Sequence, residues 1–198
     1  MNIEDLKITY VAACVVLIFI VMSPTLASLV TLSKGEQFSE LYLLGLDYTI
    51  EGIPFNVTAG REYRVVVGTG NHMNNVEYYQ VLVKLRNQTD VSRDTTAGGY
   101  SGSEAIGEYH LFLENDDVYE KDFTFTFDYA IVDNASRISS LRISGQRIDV
   151  DKIVVWDDEA DGFFCQLLFE LWIYNGEDLS FQFHDRSSWM WLNLSGST

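Results

Sequence analysis

The arrangement in this sequence closest to an ion site is the run Asp157-Asp158-Glu159-Ala160-Asp161-Gly162. Asp157, Glu159 and Asp161 take positions 1, 3 and 5, and Gly162 takes position 6. Hard oxygen donors at that spacing suit Ca2+. An EF-hand loop also needs a bidentate Glu at position 12, and Leu168 stands there, so that loop is excluded. A looser Ca2+ site at a sheet edge stays open, with Asn115, Asp116 or Asp117 adding oxygens from another turn. The competing reading is a solvated acidic turn, which costs little in water and less in salt.

Two further groups are candidates for ligand or partner contact. Asn71-His72 follows Gly68-Thr69-Gly70, where Asn suits a turn between strands. Trp189 and Trp191 alternate near the C-terminus, so one strand face carries both indoles. That face packs into the core, or forms an interface with sugars, a membrane surface or neighbouring subunits. His110 and His184 occur singly, without metal-ligand spacing. No nucleophile elbow, phosphate loop, paired-His motif or C-x-x-C occurs, and the sequence reads as non-enzymatic.

Four N-x-[ST] acceptors lie at Asn56, Asn87, Asn134 and Asn193. All fall on the C-terminal side of an uncharged run, residues 8–32. Twenty-five residues form a helix long enough to reach across a bilayer. Pro24 kinks it or ends its deep part. The alternatives are a signal peptide cut after Ala27, in Thr25-Leu26-Ala27, or a buried helix of a large soluble protein. Flanking charges are balanced and give little orientation. The one-sided sequons favour an N-terminus inside the cell and a glycosylated domain outside; unmodified Asn-rich turns are the bland alternative.

The chain has 198 residues and a formal net charge of −16. All but two of the acidic and all but one of the basic residues follow residue 32, so a net −15 belongs to residues 33–198. Such a field repels nucleic acid and fits a salty or cation-rich exterior. Only Cys14 and Cys165 are present, and no disulfide framework is expected.

The rest reads as short strands. In EYYQVLVKLR, Tyr79, Val81, Val83 and Leu85 share one face. In FTFTFDY, Phe123, Phe125, Phe127 and Tyr129 do the same. Phe163–Tyr174, apolar except at Gln166 and Glu170, reads as a central strand. Gly98–Ser103 is too Gly-rich to pack and reads as a mobile loop. The expected fold is mainly β: an antiparallel β-sandwich ectodomain (33–198), one transmembrane helix (8–32) and a short cytoplasmic tail (1–7).

Glu40, Tyr42, Leu44 and Gly45, then Pro54 and Gly60, then Gly68-Thr69-Gly70-Asn71-His72 before YYQVLVKL, form a pattern that resembles the archaeal domain-of-unknown-function family numbered 1616. The dense part spans residues 38–86. Phe169–Tyr174 and Trp189–Leu194 resemble the family's closing part. The resemblance implies archaeal origin, a membrane anchor and a β-rich outer domain, and no activity. It departs from the family in having one apolar segment rather than about four, and Met73 where a Glu follows Asn-His.

Together these readings describe an archaeal cell-surface protein, a structural or accessory subunit of an envelope assembly. Its partners are membrane lipid, through residues 8–32, and other envelope proteins, including itself. Two alternatives stand beside it: a pilin-like filament subunit with a helical core, and an envelope module that binds glycans or Ca2+.

Overall fold

The computed structural model describes residues 7, 10–21, 36–93 and 99–195. Residues 8, 9 and 22–32 of the expected membrane segment lie outside these, as do residues 1–6 of the expected tail and Gly98 of the glycine-rich run. The chain divides into two units, Met1–Gln37 and Phe38–Thr198. In the first, residues 10–21 are helical (α1), and Val15, Val16, Leu17, Ile18, Phe19 and Ile20 are exposed. The described residues 10–21 span about 18 Å. No helix among the described residues is long and apolar enough to cross a membrane.

The second unit is mainly β, as the alternating patterns predict. Its strands are β1 (Phe38–Leu44), β2 (Asn56–Val57), β3 (Glu62–His72), β4 (Glu77–Asn87), β5 (Ala105–Leu113), β6 (Val118–Val132), β7 (Ala135–Ile143), β8 (Gln146–Asp157), β9 (Gly162–Asn175) and β10 (Ser180–Leu194). One short helix, α2 (Gln88–Arg93), follows β4. Asn87 starts it by reciprocal capping: its Oδ1 accepts from Asp90 N at 2.8 Å, while Asp90 Oδ2 accepts from Asn87 N at 3.0 Å.

The strands form one continuous ten-stranded sheet. Half of it runs β1-β3-β6-β7-β8, the other half β5-β4-β9-β10-β2. The halves join where Trp156 and Asp157 of β8 pair with Phe163 and Gly162 of β9. Neighbours are antiparallel except β2, which lies parallel to β10. The sheet curls around a single core. Val65, Phe123, Phe125, Phe127, Ile138 and Leu141 enter it from the first half. Tyr79, Val81, Val83, Leu167, Phe169, Leu171 and Leu192 enter it from the second. Phe123 and Phe169 meet edge to face across it, with centroids 5.0 Å apart.

Strand alternation puts the expected residues inside. Tyr79, Val81, Val83 and Leu85 are buried, as are Phe123, Phe125 and Phe127. A bulge between Asp128 and Tyr129 ends the inward run in β6 and leaves Tyr129 half-buried. β9 is a strand, buried on both faces from Gly162 to Leu171.

The glycine-rich run differs from the expectation. Ser101 packs rather than standing in solvent: it is buried, and both its N–H and its C=O are hydrogen-bonded. Charged groups beneath it supply partners to a loop whose one large side chain is Tyr100.

Candidate functional site

The outer face of the second half-sheet carries the most unusual chemistry. Outward residues of β4, β9 and β10 fall into rows set by the register. Arg86 pairs with Gln166, and Gln166 with Trp191. In the next row Lys84 pairs with Leu168, and Leu168 with Trp189. Then Leu82 pairs with Glu170, and Glu170 with Ser187. Period-two alternation alone would leave these rows in water. Instead Lys84, Arg86, Gln166, Leu168 and Glu170 are all buried, and residues 99–103 and α2 flank them.

The centre of this layer is an ion pair. Lys84 Nζ lies 2.8 Å from Glu170 Oε2, both side chains being buried. Lys84 Nζ also donates to Ser101 O at 2.6 Å. Ser101 N donates to Glu170 Oε1 at 2.5 Å, and Trp172 Nε1 to Glu170 Oε2 at 3.3 Å. A buried pair recovers its desolvation cost only when further hydrogen bonds support it, and here Ser101 and Trp172 supply them. Tyr100 closes the network from outside, its ring against Trp172 and Phe183.

Beside the pair lies a groove of about 320 Å3, lined by Arg86, Gln166, Leu168, Ser187, Trp189 and Trp191 among others. Trp189 is 55% exposed and Trp191 half-buried, while Met190 and Leu192 between and beyond them face the core. The two tryptophans thus share one face, and it is the outer one. At the far end of the same face, Phe112 and Tyr78 stack with centroids 4.1 Å apart, and Phe181 and Tyr174 join them. Trp172 and Phe183 lie between the two ends. Aromatic side chains therefore line this face at both ends as a stripe interrupted by the Leu82–Glu170–Ser187 row.

Asn71 and His72 end strand β3 rather than forming a turn. Asn71 is fully buried. Its Nδ2 donates to Asn75 O and Leu113 O, both at 2.8 Å, and its Oδ1 accepts from Met73 N and Tyr79 Oη. A hydroxyl chain leads on. Tyr79 Oη donates to Asn71, so Ser39 Oγ, 2.6 Å away, donates to Tyr79. His184 Nε2 then donates to Ser39 Oγ at 3.0 Å. A base that activates a nucleophile must accept its proton, and this chain runs the opposite way. Burial pushes Tyr79 up to about 12, against the Ser39 hydrogen bond. Burial, helped by Arg186 and opposed by Asp185, lowers the pKa of His184. His72 stacks on Phe38 and pairs its Nδ1 with Asp116 at 3.0 Å.

The acidic run is a turn closed by its own side chain: Asp157 Oδ1 accepts from Glu159 N and Ala160 N, both at 3.0 Å. Asn115 and Asp116 are engaged elsewhere, with Asn74 and His72. Among the described residues no three acidic, His or Cys side chains gather to hold a metal ion. Cys165 is in the core, where burial pushes its thiol up to about 12.

The four sequons differ. Asn134 is exposed in the β6–β7 turn and Asn56 is exposed on β2. Asn87 caps α2 and donates from Nδ2 to Ile153 O. Asn193 donates to Asn56 Oδ1 and accepts from Phe163 N.

The residues behind the family resemblance set strand register. Glu40 faces Gly70 and Tyr42 faces Gly68 in the β1–β3 pairing. A side chain at Gly68 would meet the Tyr42 ring at 2.1 Å, so only glycine lets the ring lie across β3. Tyr42 Oη then reaches Glu120 on β6 at 3.0 Å.

The description "Domain of unknown function (DUF1616)" matches residues 32–141. A search of the curated proteins finds no match. Among solved structures, the chain is similar to the CARDB domain of a Pyrococcus furiosus protein in complex with di-metal ions, at 6% identity and a TM-score of 0.42. That alignment covers 82% of this chain and 97% of the other. It is also similar to a β-glucosidase from Listeria innocua in complex with gluconolactone, at 14% identity and a TM-score of 0.32. There it covers 80% of this chain and 17% of the other.

Proposed function

The chain belongs to the DUF1616 domain-of-unknown-function family, and from that premise we propose that it is a non-enzymatic accessory subunit of the archaeal cell surface. Residues 8–32 tether it to the membrane, with the N-terminus inside. The curled sheet acts as a two-layered sandwich outside, carrying glycans and presenting its aromatic outer face to another envelope component.

The observation that carries this reading is the stripe itself. Aromatic side chains line one sheet face from Phe112, 70% exposed, to Trp189. Apolar surface gathered on one face marks a contact surface, whereas scattered exposed residues do not. The uncharged run before the domain supplies the tether.

Protease shaving of intact cells that make the full chain tests the topology: the strand-rich part is digested. Cross-linking in native membranes tests the face, with cross-links expected at β4, β9 and β10. A protected domain overturns the topology. Cross-links confined to β3, β6 and β7 overturn the choice of face.

A further inference from the structure

We propose that the groove between Trp189, Trp191 and Gln166 is a binding subsite for a neutral hexose ring of an extended glycan. This deepens the preceding reading by naming the ligand class at one end of the aromatic face.

The first support is an unmet acceptor. Gln166 is 4% exposed, lines the groove, and its Oε1 has no hydrogen-bond partner. A buried acceptor is costly unless something donates to it. A ligand hydroxyl that reached the groove floor would supply that donor. Its ligand must therefore carry an O–H or N–H at the groove floor.

The second support is the wall. Trp189 and Trp191 stand on one face of β10, about 7 Å apart along the strand. Indole rings offer a flat, polarisable surface with a negative face, which suits the weakly positive C–H groups on one side of a pyranose. Ser187 and Arg86 complete the lining with groups that hydrogen-bond hydroxyls.

The third support is charge. Glu170 reaches the same groove, and the domain around it carries a net −15, which disfavours an anionic ligand. Arg86 lines the same wall and disfavours a cation. A neutral molecule that both donates and accepts, with one apolar side, satisfies all of these at once. The volume, about 320 Å3, lies at the small end of ligand pockets and fits one ring with its neighbours left outside.

The test uses the full chain in a detergent without a sugar head group. Maltohexaose, cellohexaose and mannohexaose are titrated while tryptophan emission and heat are recorded, with polygalacturonate as the anionic comparison. At least one neutral hexasaccharide is expected to bind. Trp189→Ala should weaken that binding about tenfold or more, and so should Gln166→Met. Val132→Ala, exposed on β6 in the other half of the sheet, should leave it unchanged. Melting curves establish that each variant is folded.

Three results overturn the site. One is no binding of any neutral probe by folded protein, and another is binding of polygalacturonate alone. The third is neutral binding that survives either Trp189→Ala or Gln166→Met. Failure here leaves the tethered accessory reading standing, since protease shaving and cross-linking decide that separately.

Discussion

Two buried polar networks hold this domain together, and they are built on opposite principles. Around Glu170 the network is ionic: two full charges are removed from water and met by Ser101, Trp172 and each other. Around Asn71 it is neutral: an amide, two hydroxyls and an imidazole pass hydrogen bonds in one direction from β10 to β1, β4 and β3. The ionic network binds a poorly apolar loop to the outer face and borders the groove. The neutral one fastens strand ends to the turn at residues 114–117, where Asp116 N donates to Asn71 O at 2.7 Å. Charge is used where a loop offers backbone groups and a single ring, Tyr100, and needs strong partners. Neutral groups serve where four elements already enclose the site.

The largest effect should come from breaking the ionic network on one side. Glu170→Ala leaves the Lys84 ammonium buried without its counter-ion, at a cost of about 3–5 kcal/mol. Chemical denaturation measures it. Removing both charges together, as Lys84→Met with Glu170→Leu, should recover most of that loss. A double variant as unstable as the single one would mean that residues 99–103, not the charge, dominate.

Asn71→Ala should cost less, about 2–3 kcal/mol, because it strands neutral partners, Leu113 O and Tyr79 Oη among them. If it equalled Glu170→Ala, the distinction between charged and neutral networks would fail.

Acid separates the two networks next. Burial holds the pKa of His184 below the ordinary imidazole value of about 6.5 in the folded state. The unfolded chain then takes up this proton first as pH falls. Stability is full above about 6.5 and declines as pH drops from there toward the folded value. His184→Gln should flatten that part of the profile, read from melting temperature between pH 7 and 5. An unchanged slope would remove His184 as the cause.

The smallest effect belongs to Trp189→Ala. Its side chain is 55% exposed, so stability should fall by only about 1 kcal/mol. A loss of several times that would make Trp189 part of the structural layer and not a free wall of the groove.

The inner faces were legible because alternation is a local signal. Phe123, Phe125 and Phe127 repeat at every second position, and nothing competes with that reading until the bulge at Asp128. The strand around Trp189 and Trp191 was legible for the same reason, yet β10 begins at Ser180. A register shift between Phe183 and Arg186 interrupts its periodicity and hides the first half. Trp189 and Trp191 could be placed on one face, but the spacing did not say which. Gln166 and Glu170 stood out only as polar breaks in an apolar run.

The sequence by itself determined that this chain is mainly β, acidic beyond residue 32, and preceded by an uncharged apolar stretch. Composition and period suffice for that, since each strand's faces follow from its own neighbours. Only the tertiary structure decided that Lys84, Arg86, Gln166 and Glu170 are buried on an outer face. Their cover, Ser101 and α2, reaches them through folding and not through adjacency in the chain. A polar residue's environment is set by what crosses over it, and no local pattern records that.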